Sequence, residues 1–395
     1  MSTQAEENLS SEASSNPAGG ALPEGSGPGE SSTTEHRFTY TQWQLMWLKL
    51  KRHRLAMVSM VVLGFFYFGA IFAEVVTPVP PTTRFAMYPT APPQRIRFFD
   101  VEGKFHIRPF VYGYTQSVDP ETFLRRYTRN DERYQVRLFV RSHPYRLWNL
   151  IPMDLHVFGV ADLKAPFFIF GSDGQGRDLF SRIIYASRIS LSIGLIGVIM
   201  SFTLGIFLGG LSGWYGGTVD IVIQRLVEVL RSFPTLPLWM ALAAALPLDW
   251  PVTKTYFFIT IILSLIGWTG MARVVRGKFL ALKTEQFVVA AEQAGAKTPR
   301  IIFRHLLPSF MSHIIASASL SIPAMILAET SLSFLGIGLR PPAISWGVLL
   351  QKAQNVHAIA ATPWLLIPAL FVVVVVLAFN FLGDGLRDAA DPYRT

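Results

Sequence analysis

Few residues in this chain have a type and spacing suited to chemistry. The densest cluster runs from Lys283 to Pro308. There Thr284 can cap a helix N-terminus, with Glu285 in the first turn, where a negative charge suits the helix dipole. Gly295 stands where a helix can end in the left-handed conformation. A second helix can begin at once, with Thr298 as N-cap and Pro299 at its first position. Ala290 and Ala291 leave part of the first helix smooth, so another protein surface can approach closely. Two short helices meeting at a glycine corner suit mechanical coupling. Ala296-Lys297-Thr298 is like the end of a phosphate-binding loop, but Gly is missing directly before the lysine and five residues earlier. Nucleotide hydrolysis by this chain is therefore not expected.

A second group consists of charges inside apolar runs. Arg225, Glu228 and Arg231 are spaced by three, so they share a helix face and can pair. Burying one unpaired in a membrane would cost about 2.5–3.5 kcal/mol, which favours pairing or snorkelling over substrate binding. Glu329 lies deeper in its run. An intramembrane carboxylate is a functional candidate by default, and a structural hydrogen bond explains it equally well. Cysteine is absent, which excludes disulfides, thiolate chemistry and cysteine-based metal sites. No catalytic residue and no metal site is expected.

The elements that must carry these groups are transmembrane helices. Of 395 residues, 51% are hydrophobic and only 15% charged, against roughly 25% charged in an ordinary soluble domain. Six apolar runs reach the roughly 20 residues that a helix needs to cross a bilayer. They are Leu55–Val76, Ile189–Trp214, Ile221–Leu246, Tyr256–Val274, Met311–Phe334 and Trp364–Leu382. Gly205, Gly209 and Gly213 recur every four residues in the second, a spacing that permits close helix packing in lipid. Pro234, Pro237 and Pro323 should kink their helices. Lys49, Lys51, Arg52 and Arg54 place the N-terminus in the cytoplasm. Six crossings return the C-terminus to that side. The segment between the fourth and fifth runs is then cytoplasmic, and it carries Arg276, Lys278, Lys283, Lys297, Arg300 and Arg304. The net charge of +9 is spread over membrane flanks and one long loop, so it gives no reason to expect nucleic acid.

Residues 1–36 are mostly Ser, Gly, Glu, Ala and Pro and read as a disordered cytoplasmic tail. Residues 37–54, with Trp43, Trp47 and Leu50 at helical spacing, read as an amphipathic interfacial helix, or as an extension of the first span. Residues 77–168 change character, with Pro-rich stretches bordering the short alternating runs Arg95–Phe99 and Lys104–Phe110. A short helix is expected over Arg125, Arg126, Arg129 and Arg133, giving a small mixed α/β external subdomain. Its Arg and aromatic content suits a ligand or docking partner, or simply a compact solvated insertion.

Ala290, Ala291, Gly295, His305, Leu307 and Pro308 together resemble the "EAA loop" of ABC importer permeases, with Val289 where that motif often has Glu. Phe170-Gly171-Ser172-Asp173-Gly174-Gln175-Gly176-Arg177-Asp178 is similar to a segment of one branch, the C-type permeases of dipeptide and oligopeptide importers. So are Ser333 to Gly338 with Pro341-Pro342 and Ser345-Trp346-Gly347, and the tail from Gly383 to Pro392. The long insertion departs from that branch's usual short loop. The resemblance implies an all-α membrane protein with six transmembrane helices of the MetI-like permease type in the bacterial inner membrane, both termini cytoplasmic. It implies a second homologous permease subunit, two ATPase subunits that bind ATP and Mg, and an external substrate-binding protein; this chain would hold no cofactor. Peptides are the expected cargo, with oligosaccharides or another small solute as the alternative. An ATP-independent secondary transporter is the rival from another class; it would need no helix–glycine–helix loop.

Overall fold

The computed structural model describes residues 42–121 and 125–390. The tail expected over residues 1–36 and the Asp391-Pro392 end of the tail motif lie outside them. The chain begins with α1 (Gln42–Arg52), broken at His53 from α2 (Arg54–Ile71). The break is a cap: His53 leaves helical geometry and its Nδ1 accepts the Ala56 N–H at 3.1 Å. So α1 is a separate helix. Leu50 and Met46 pack on the chain's last helix, while Leu45, Trp47 and Leu48 stay exposed.

After a single turn, α3 (Ala73–Val76), come four antiparallel strands in the order β1 (Arg97–Phe99), β2 (Phe105–Val118), β3 (Arg125–Leu147) and β4 (Ile151–Val160). The helix expected over Arg125–Arg133 is instead the start of β3, whose Arg125, Arg129 and Arg133 pair with Val118, Tyr114 and Tyr112. The partner strand decides here. Arg129 stacks 4.3 Å over the Tyr112 ring, a cross-strand contact that no local pattern announces. Asp100 ties the β1–β2 turn to β3 by accepting from Arg133 at 3.2 Å and meeting His106 at 3.0 Å. The hydrogen bond to His106, with those from the turn's backbone, holds its carboxyl down to about 2.

The remaining elements form the bundle: α4 (Leu179–Tyr215), α5 (Gly217–Ser232), α6 (Thr235–Ala244), α7 (Val252–Leu282), α8 (Gln286–Gln293), α9 (Thr298–Ile301), α10 (Leu307–Ser309), α11 (Met311–Phe334), α12 (Trp346–Gln351), α13 (Val356–Ala361) and α14 (Ile367–Ala390). Among the described residues, five helices are long and apolar enough to cross a membrane alone: α2, α4, α7, α11 and α14 with its leading turn. The run expected as the third span is the pair α5–α6, bent by 87° at Phe233-Pro234. Pro234 sits at the break and Pro237 in the first turn of α6, while Pro323 lies inside an α11 that continues past it. The pair starts at the α7 C-terminal end, where Asp220 meets Arg276. It finishes beside Val252, where α7 begins. It thus leaves at the opposite end from the one it entered and makes a sixth crossing.

Three glycines set a close contact in the bundle. A methyl built on Gly205 would stand 2.8 Å from Met271 Cβ, one on Gly209 2.8 Å from Ala272 Cα, and one on Gly213 2.7 Å from Phe279 Cβ. Gly205, Gly209 and Gly213 therefore line one stripe along which α4 and α7 touch backbone to backbone.

Candidate functional site

The loop between α7 and α11 is fastened at its base. Lys283, which ends α7, donates to the Trp214 carbonyl at 2.8 Å and lies over the Trp214 ring. Arg276 grips Asp220 with two nitrogens, at 2.6 and 2.5 Å, and Ser212 donates to the same carboxylate. These contacts join the end of α4, the start of α5 and the end of α7.

From that base, α8 projects. Val288 is its one fully buried side chain and Ala291 packs beside it, while Phe287, Val289 and Ala290 face outward. Thr284 does not cap α8; its hydroxyl turns back to the Ala281 carbonyl at 3.4 Å, and Glu285 takes the N-cap position without a side-chain bond. The end of α8 closes as a Schellman motif. Ala296 N–H donates to the Ala291 carbonyl at 3.0 Å and Gly295 N–H to Glu292 at 2.9 Å. Gly295 supplies the left-handed residue, φ 76°. Ala291 and Ala296 both pack inward, the apolar contact that accompanies this motif.

Past the corner, Lys297 is the N-cap of α9, and Thr298 and Pro299 are its first two residues, one position earlier than expected. The chain then widens into a π turn, Ile302–Leu306, where Leu307 N–H reaches back to the Ile302 carbonyl. Pro308 follows directly. Proline cannot donate to the preceding turn and its ring crowds the carbonyl four residues back, and one extra residue in the turn relieves both. His305 is half-buried on this turn, Leu307 is buried and Pro308 is exposed. Ile301, Leu306 and Phe310 anchor the segment, with Phe310 edge-on to Phe279 at 6.1 Å. An apolar crevice of about 430 Å³, with Phe207, Tyr215, Ile302 and Phe303 in its walls, opens beside it. The half after Gly295 is thus set into the bundle, and α8 is a light, apolar-faced projection.

The charged residues inside the apolar runs separate. Arg225 and Glu228 pair at 2.8 Å on the exposed face of α5, and Arg231 is exposed further along it. Glu329 is far from them and fully buried. It accepts from Ser190 of α4 at 3.0 Å and from Ser333 at 2.8 Å. Ser190 in turn accepts the Trp346 N–H at 3.2 Å, and Trp346 Nε1 donates to the Ile183 carbonyl. The Ser333–Gly338 and Ser345-Trp346-Gly347 segments therefore fold around one carboxylate that joins α4, α11 and α12. Sequence reasoning left this site open because Ser190 stands far from Glu329 in the chain.

The Phe170–Asp178 segment is a brace at the start of α4. Asp173 accepts the N–H groups of Gln175 and Arg177 and the Arg177 side chain at 2.7 Å. Asp178 caps α4 by accepting Ser181 N–H at 2.7 Å, and burial pushes its carboxyl up to about 6. Nearby, Arg188 donates to the Ala70 and Ile71 carbonyls and to both oxygens of Glu74. No spacing announces that pair, since its members lie on either side of the insertion.

Residues 201–394 match the family of binding-protein-dependent transport system inner membrane components, and residues 41–93 match the N-terminal transmembrane domain of oligopeptide transport permease C. The oligopeptide transport system permease protein OppC of Haemophilus influenzae is 39% identical over 240 residues, which is 60% of this chain and 75% of that protein. The dipeptide transport system permease protein DppC of Bacillus subtilis is 42% identical over 56% of this chain and 68% of its own length. A chain of the inward-facing MetNI methionine ABC transporter superposes with a TM-score of 0.40 at 16% identity, over 53% of this chain and 97% of that one, too slight a likeness to argue from.

Proposed function

Because the chain belongs to the family of binding-protein-dependent transport system inner membrane components, we propose that it carries oligopeptides or dipeptides inward as the C-type permease of an ATP-driven importer. It is a multi-pass membrane protein and a pore-forming transport subunit rather than an enzyme. Membership implies ATPase subunits and a substrate-binding protein as partners.

The finer reading is a complex of this chain, a second homologous permease, two ATPase subunits that bind ATP and Mg, and one external binding protein. It lies in the bacterial inner membrane with both termini cytoplasmic. The loop from Thr284 to Pro308 then faces the ATPase, and the sheet of β1–β4 lies outside. The observation that carries the coupling role is the division of the loop at Gly295. The half from Lys297 to Phe310 is set into α7 and α11, while α8 stands out with Phe287, Val289 and Ala290 uncovered. A partner that grips α8 moves a segment fastened to two membrane helices. The peptide cargo rests on the names of the relatives.

Uptake into vesicles holding the whole complex and its binding protein tests both parts. Labelled di- to pentapeptides and oligosaccharides are offered with and without ATP. ATP-dependent peptide accumulation is expected. Accumulation of sugars alone would move the cargo and keep the mechanism, and uptake without ATP would overturn the importer.

A further inference from the structure

The pair β3–β4 ends in a turn of unexpected composition and place. Leu147 and Ile151 pair across its neck. Between them Trp148 and Asn149 both take left-handed backbone, φ 50° and 61°. Asn visits that region readily and Trp does not. Turns favour Gly, Asn, Asp and Ser, yet this one exposes Trp148 (47%), Leu150 (77%) and Ile151 (50%) together.

The turn does not point into open space. Trp148 Nε1 donates at 2.9 Å to the carbonyl of Ile71, the last residue of α2 and a terminal acceptor that it shares with Arg188. The Trp148 ring stands 5.6 Å from Phe72, which stands 4.9 Å from Phe68. That line leads down the face of α2 that carries Phe65, Phe68 and Ile71, all exposed in the chain and open to lipid in a membrane.

Depth follows from helix length. The 18 residues of α2 rise about 27 Å, close to the roughly 30 Å hydrocarbon core, so its end marks the core's edge. Arg188 holds that end and lies roughly 14 Å along α4 from Leu179. The first turns of α4 therefore stand clear of the core while the β3–β4 turn hangs back down to its edge. Arg141 and Arg146 are both exposed on β3 behind the turn, Arg141 standing 4.0 Å from Asp154 of β4.

We propose that the Leu147–Ile151 turn seats in the leaflet on the sheet's side of the membrane. Trp148 lies at headgroup level, as interfacial Trp does. Leu150 and Ile151 reach among the upper acyl carbons, and Arg141 and Arg146 face lipid phosphates. Lipid then holds the sheet at a fixed tilt over the bundle. The occupant is lipid because the patch is continuous with the lipid-facing side of α2. The inference rests on the membrane-spanning reading but not on the cargo.

The absence of cysteine makes the test direct. A nitroxide is placed at Leu150→Cys in the full chain within its complex, reconstituted in vesicles of phosphatidylcholine and phosphatidylglycerol. Ile151→Cys repeats the reading on the same turn. Accessibility to oxygen, which partitions into hydrocarbon, is compared with accessibility to a polar nickel chelate. Phe65→Cys on α2 is the lipid control and Glu102→Cys in the β1–β2 turn the water control. The oxygen-to-nickel ratio at 150 and 151 should stand several-fold above that at 102 and approach that at 65. If both turn positions match 102 while 65 reads hydrocarbon, the anchor is refuted and the spans stand. If 65 also reads water, the membrane reading itself falls. A turn that is open to nickel until the binding protein is added, and shielded from both reagents afterwards, would be a protein interface and would equally overturn the proposal.

Discussion

Replace Gly209 by alanine, and the new methyl arrives where α7 already stands. It would lie 2.8 Å from Ala272 Cα and 3.0 Å from the Ala272 carbonyl carbon. Carbon atoms rest best at about 3.5–4.0 Å, so the helices must part locally by about 0.7–1 Å. Each atom pair is worth only about 0.1–0.2 kcal/mol, but a gap of that size forfeits a quarter to a half of it. The stripe through Gly205, Gly209 and Gly213 brings Trp268, Met271, Ala272, Arg276 and Phe279 within reach, so tens of pairs loosen together. The sum is about 1–3 kcal/mol, the usual range for overpacking. Alanine's better helix propensity returns up to about 1 kcal/mol. The neighbouring Gly210→Ala is the control. Its methyl would meet the Phe279 ring at 3.4 and 3.5 Å, an ordinary contact, so only the propensity gain remains. Thermal unfolding of the purified complex should fall by several degrees for Gly209→Ala and hold or rise for Gly210→Ala. Equal stability of the two variants, or greater damage at 210, would refute backbone contact between α4 and α7.

The loop gives a second prediction. Gly295→Ala finds open space but a left-handed backbone, so it should cost roughly 1–2 kcal/mol locally. Gly295→Pro also removes the Gly295 N–H bond and should uncouple ATP hydrolysis from uptake, read by assaying both on one preparation. Arg188→Ala leaves Glu74 buried without its partner, at a cost of about 3–5 kcal/mol. Arg188→Lys should recover only part of it, because an ammonium cannot reproduce the fork; thermal unfolding of the three proteins compares them. Asp178 has a folded-state pKa raised by burial to about 6, so the folded chain holds its proton more tightly than the unfolded one. Its effect is stability that is greatest below the unfolded pKa of about 4 and lost as pH rises through about 6. Asp178→Asn keeps the cap without the charge and should flatten that window, raising stability at pH 7 by on the order of 1–3 kcal/mol. An unchanged pH profile would count against a buried charge at this position.

The spans were legible because the bilayer demands a length of apolar helix that few other structures need. Gly295 was legible for a related reason, since a left-handed corner between two helices has one natural occupant. What stayed hidden depends on partners distant in sequence. The stretch from Arg125 to Arg133 has polar side chains on both faces, so no period betrayed a strand, and only its pairing with β2 fixes it. Thr284 lost its capping role to the nearer Ala281 carbonyl. The π turn before Pro308 answers a steric conflict one residue ahead. The carboxylate of Glu329 is satisfied by hydroxyls from α4 and α11, which only the folded chain assembles. The Trp148 turn contradicts local preference outright, and its composition makes sense only beside the end of α2.

The stripe between α4 and α7 has a mechanical consequence. Two rods laid side by side slide past each other when bent, and each resists alone. Toothed together along their length, they bend as a single thicker beam. α4 touches the sheet through Phe180 against Phe158 at one end and α7 through Gly213 against Phe279 at the other. A load on the sheet then bears on both helices together, down to the base of α8, about 50 Å away along the helix.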